Sequence, residues 1–136
     1  MSDEIPRWKE RQKLLYMRGQ KTDPAKLSAL GNRCLERGFV QDAFEYFRVA
    51  KNAEGLGKIK RLALEEGDVF LMEALDKAGT SPTPEEWNQA GYRAFELGKY
   101  SFAQKAFERT ANELMLAKIR ATLGGMGSAQ PPTDAA

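Results

Sequence analysis

Apolar residues return at helical spacing along most of the chain, and no segment alternates at the two-residue period of a strand. Leu27, Leu30, Gly31 and Cys34 recur at i, i+3, i+4 and i+7, which places them on one face of a helix. Val40, Ala43, Phe44, Phe47 and Ala50 form the buried side of the next helix, and Leu56, Ile59, Leu62 and Ala63 that of another. Helices are predicted over residues 7–18, 25–36, 40–52, 55–66, 69–78, 85–96, 100–110 and 111–123. Polar, glycine- and proline-bearing stretches at 19–24 and 79–84 separate them. The run Thr83-Pro84-Glu85-Glu86 reads as a capped helix start, with proline at the first position and acids in the first turn. The fold class is all-α.

Three short stretches punctuate this pattern: Leu35-Glu36-Arg37-Gly38, Leu64-Glu65-Glu66-Gly67 and Phe95-Glu96-Leu97-Gly98. Their glycines fall 29 and 31 positions apart, the period of a helical repeat, and each suits the tight turn of a helical hairpin. Sliding the chain by 60 places superposes Gly31 on Gly91, Arg33 on Arg93, Gly38 on Gly98, Ala43 on Ala103 and Phe47 on Phe107. Asn52, Leu56, Lys58 and Ile59 likewise meet Asn112, Leu116, Lys118 and Ile119. Small residues at Gly31/Gly91 and Ala43/Ala103 allow two helices to approach closely, while Phe47/Phe107 fills the space towards the neighbouring hairpin.

The later copy carries Trp87, Ala90, Gly91, Ala94, Gly98, Tyr100, Ala103 and Phe107. The earlier one carries Leu27, Leu30, Gly31, Cys34, Gly38, Val40, Ala43, Phe47 and Ala50. This register resembles the tetratricopeptide repeat over roughly residues 25–123. The first-helix tyrosine of that motif is replaced by Cys34 or Ala94, its closing proline by Gly55 or Met115, and Lys60 stands where the middle hairpin needs glycine. The resemblance implies a short right-handed α-solenoid of about three hairpins, with an extra helix at each end. It divides the chain into a basic helix and linker (1–24), the repeat domain (25–123) and a disordered tail (124–136). The irregular solenoids of vesicle-coat and intraflagellar-transport subunits are a more distant likeness.

Composition narrows the chemistry. The chain has no histidine and one cysteine, Cys34. It therefore lacks the commonest general base and metal ligand, a Cys–His nucleophile pair and an internal disulfide. Gly124-Gly125-Met126-Gly127 follows no strand, so no phosphate-binding loop is read there. Neither an enzyme activity nor a cofactor nor a metal is expected. A net charge of +2 argues against a broad nucleic-acid footprint, and no apolar run reaches the ~20 residues of a membrane span. A lone cysteine fits a reducing compartment, and the cytoplasm is the expected location.

The resemblance also implies a function, the binding of a segment of another protein in a concave groove lined by the first helix of each hairpin. Asn32, Arg61, Asn88 and Tyr92 would form its floor: the asparagines hydrogen-bond a peptide backbone, Arg61 takes a carboxylate and Tyr92 is an apolar anchor. Leu35, Leu64 and Phe95 are read as packing residues. The first helix, with Arg7, Lys9, Arg11 and Lys13, caps the array or meets an anionic surface. The last helix offers Leu116, Ile119 and Leu123 as a possible interface with another copy. The other reading of the whole chain is a self-stacking or coat-like structural subunit.

Overall fold

The computed structural model describes residues 4–16 and 22–126, and all regular structure among them is helical. The order is α1 (Trp8–Tyr16), α2 (Pro24–Glu36), α3 (Val40–Ala50), α4 (Ala53–Glu66), α5 (Val69–Lys77), α6 (Pro84–Glu96), α7 (Tyr100–Arg109) and α8 (Glu113–Met126). The all-α expectation holds. α8 starts two residues later than predicted and runs three residues beyond Leu123, so 124–126 are helical. The rest of the expected disordered tail, 127–136, lies outside the described residues, as do the end of the first predicted helix and most of the linker after it.

Local chemistry sets the helix starts. Asp23 caps α2 by accepting a hydrogen bond from the Ala25 amide, with Pro24 in the first turn. Thr83 and Glu86 form a reciprocal capping box at α6. The three turn glycines, Gly38, Gly67 and Gly98, have φ of 81°, 62° and 77°. Gly67 has a second reason to be glycine: a Cβ there would lie 2.5 Å from the backbone nitrogen of Ala94.

The chain forms two compact units, one up to Arg61 and one from Leu62. In the first, Phe47 of α3 is fully buried against two glycines. A Cβ on Gly31 of α2 would stand 2.5 Å from its ring, and one on Gly55 of α4 would stand 2.4 Å away. Burying such a ring stabilises by roughly 1.5–3 kcal/mol. Helix α1 meets α3 through the Arg11–Asp42 ion pair and through Tyr16, which donates to Glu45 and accepts from Arg48 Nη2 at 2.9 Å. Buried Leu15 is its apolar anchor.

The second unit repeats the scheme. Phe107 of α7 packs where a Cβ on Gly91 would lie 2.8 Å from its ring. Around it gather Ala94, Ala103, Met115 and Ile119, flanked by Phe95, Tyr100, Phe102 and Leu116. Arg109 on α7 holds Asp76 on α5 at 2.7 Å. Ile119, one of the expected interface residues, is 1% exposed and is covered within its own chain. Leu116 is half-buried, Leu123 is 41% exposed and Leu114 79%.

The sequence period is visible in three dimensions. α6 begins and ends 60 residues after α2, and α8 begins and ends 60 residues after α4. Lys51 and Ala111, also one period apart, share a left-handed backbone with φ of 55° and 52°. α1 and α5 occupy matching slots, since Leu15 and Leu75 are both buried, and Tyr16 bonds to α3 as Asp76, one period later, bonds to α7. The full period therefore comprises four helices.

Candidate functional site

In the second unit, α6 exposes one helical face carrying Glu85, Asn88, Gln89, Tyr92, Arg93 and Glu96. With Leu64 and Glu65 from the end of α4 it lines a cleft of about 570 Å³. Tyr92 is 46% exposed there, and its ring is fixed edge-on to Phe107 at 5.1 Å between centroids. A rigid, half-exposed aromatic loses little freedom when it is covered, which suits it to anchor a ligand. Asn88 is partly committed: its carbonyl oxygen accepts from Thr110 Oγ1 at 2.8 Å and from Asn112 Nδ2 at 3.2 Å. Its side-chain NH2 donates to no described residue.

The lining is acidic. Glu65, Glu85 and Glu96 face one cation, Arg93, whose Nε donates to the Glu65 carbonyl at 2.7 Å and whose Nη1 stands 3.7 Å from Glu96. Arg93 thus closes the end of α4, where unpaired carbonyls and the helix dipole favour a cation. The lining carries more carboxylates than cations, whereas the sequence reading places a ligand carboxylate at Arg61.

Of the four expected groove residues, Asn88 and Tyr92 share this cleft. Asn32 and Arg61 belong to the first unit and are exposed. Asn32 accepts from Lys58 Nζ of α4 at 3.3 Å. Phe95 packs as expected, edge-on to Tyr100 at 5.4 Å, while Leu64 lines the cleft. The acids were not among the expected residues, although 85, 88, 89, 92, 93 and 96 follow the i, i+3, i+4, i+7 spacing that marks one helix face.

Cys34 is fully buried and free. Burial pushes its thiol up to about 11, and nearby Asp42 adds to this. A thiol so shifted is a packing group and not a nucleophile. Burial also raises the hydroxyl of its neighbour Tyr46 to about 12. For Glu45, burial raises the carboxyl, but the hydrogen bonds from Tyr16 and Arg48 outweigh it and hold it below its ordinary value. No helix among the described residues is long and apolar enough to cross a membrane. Compared with protein-family models, curated proteins and solved structures, the chain matches none.

Proposed function

We propose that this chain is a helical-repeat protein-interaction module of tetratricopeptide type, a short solenoid in a cytoplasmic setting, that binds a segment of a partner protein. The observation that carries the reading is the cleft along α6, where a fixed, half-exposed tyrosine sits among three carboxylates and a free amide. Two hairpins built alike, α2–α3 and α6–α7, with glycine against phenylalanine in each, support the repeat reading. The preferred segment presents a lysine or arginine beside an apolar residue, the cation meeting Glu65, Glu85 and Glu96 and its stem or neighbour lying on Tyr92.

A peptide array varying charge and aromatic content tests this directly. Basic-apolar peptides should bind, and acidic ones should not. Tyr92→Ala and Glu85→Lys should each weaken binding at least tenfold while circular dichroism stays helical. Parental affinity in both variants would remove the cleft as the binding site.

A further inference from the structure

Within the second unit the last turn of α4 is seated on α6 and on the turn that follows it. Arg93 Nε donates to the Glu65 carbonyl and Lys99 Nζ to the Glu66 carbonyl, each at 2.7 Å, and Gly67 touches the backbone at Ala94. One period later comes α8. It is α4 displaced by 60 residues, and the sequence continues with Gly127 where α4 continues with Gly67. One period earlier than the seat, α2 carries Arg33 in place of Arg93 and Cys34 in place of Ala94. Arg33 is half-buried, and its side chain bonds or pairs with no described residue.

α8 is more open than α4 along the matching face. Leu116 is half-buried where Leu56 is 7% exposed, and Leu123 is 41% exposed where Ala63 is fully buried. On its outer side α8 carries Leu114, Ala117 and Ala121 where α4 carries Glu54, Gly57 and Arg61. A helix apolar on more than one side is normally covered on more than one side.

We propose that the chain binds a second copy of itself head to tail, the last turn of α8 in one copy lying on α2 of the next. Arg33 then donates to the Gly125 carbonyl as Arg93 donates to that of Glu65, and Leu123 is covered. Residues 4–7, one period before 64–67 and outside any helix, line a cavity there with Arg37 and Phe39, and the incoming turn displaces them. Phe39 replaces Lys99 and is 51% exposed, adding apolar area where the internal junction has a cation. Such a contact is heterologous, so each added copy leaves one open end. It covers little more than one helix face, and association is accordingly weak and concentration-dependent.

Sedimentation equilibrium on the full chain from about 10 μM to about 1 mM, a range matched to weak association, should show an average mass rising past that of a dimer. Arg33→Glu and Leu123→Asp lie at half-buried and exposed positions, so both should keep the parental circular dichroism, and each alone should be monomeric. Mixed in equal amounts they retain one intact surface of each kind and should form a single species of twice the monomer mass. A parent that stays monomeric overturns the proposal, and so does a mixture that stays monomeric. A symmetric dimer that survives Arg33→Glu overturns it equally, and points to α8 packing on α8.

Discussion

Asn52 and Asn112, one period apart, perform the same two tasks. Each side-chain oxygen caps the helix it precedes, accepting from the Gly55 amide at 3.0 Å and from the Met115 amide at 3.1 Å. Each side-chain nitrogen donates back to the first helix of its hairpin, to Ser28 Oγ at 3.0 Å and to Asn88 Oδ1 at 3.2 Å. One residue thus starts a helix and ties it to a neighbour. Asn112→Ala should cost about 1–2 kcal/mol, and Asn112→Asp, which keeps the cap and loses the donor, clearly less. Urea melts of both variants check the order; equal losses would separate the cap from the tie incorrectly.

The glycines divide by what a methyl group would meet. Gly38 has φ of 81° with nothing near its missing Cβ, so Gly38→Ala should cost only backbone strain, about 1 kcal/mol. Gly67→Ala adds overlap with rigid backbone at 2.5 Å and should cost roughly 2–4 kcal/mol. Gly91→Ala meets a ring instead, and the second change Phe107→Leu should recover part of its loss. Thermal melts of these three single variants, of Phe107→Leu and of the double variant test the ranking. Additivity at Gly91 and Phe107 would contradict the contact.

Tyr46 is fully buried, and its hydroxyl has no hydrogen-bond partner among the described residues. Removing an unpaired buried polar group leaves the ring's packing intact and relieves a desolvation cost. Tyr46→Phe should therefore be neutral or stabilising by up to about 2 kcal/mol. A destabilisation above ~1 kcal/mol would show that the hydroxyl is bonded in solution.

Alkaline pH should unfold the protein partly through Cys34. Its thiol ionises near pH 8.5 in an unfolded chain and near 11 in the fold, so the unfolded state releases its proton first as pH rises. The associated stability is complete below about pH 8.5 and is lost towards pH 11. Cys34→Ala, the residue found one period later at Ala94, should flatten that loss without removing it, because Tyr46 contributes in the same direction up to about 12. Melting temperatures from pH 7 to 11 for both proteins compare the slopes; identical slopes would rule Cys34 out.

Helix positions were legible because Leu27, Leu30, Cys34 and their counterparts recur at a helical period that burial later confirms. The start of α8 was not. It depends on Ala111 adopting φ of 52°, and alanine, the best helix former, reads as a continuation of the helix. Gly55 looked like a lapse from a proline position, but its use is to admit the Phe47 ring, a contact that only packing reveals. The face of α6 was readable as a face. The role of Arg93 was not, because it depends on where another helix leaves its carbonyls.

The glycine sockets that hold Phe47 and Phe107 have a consequence for the order of events during synthesis. Each ring lies 16 residues from its own glycine, whereas Phe47 lies 44 residues before the matching socket at Gly91. Loop closure favours the nearer socket by only about 1 kcal/mol, a preference of a few-fold. Time supplies the rest of the discrimination. A chain emerging at ~5–20 residues per second exposes Gly31 and Phe47 together before Gly91 exists, and a helical hairpin closes far faster than those extra residues are added. A chain refolded from denaturant has no such schedule, and its slow-folding fraction would consist of molecules in which a ring has entered the other hairpin's socket.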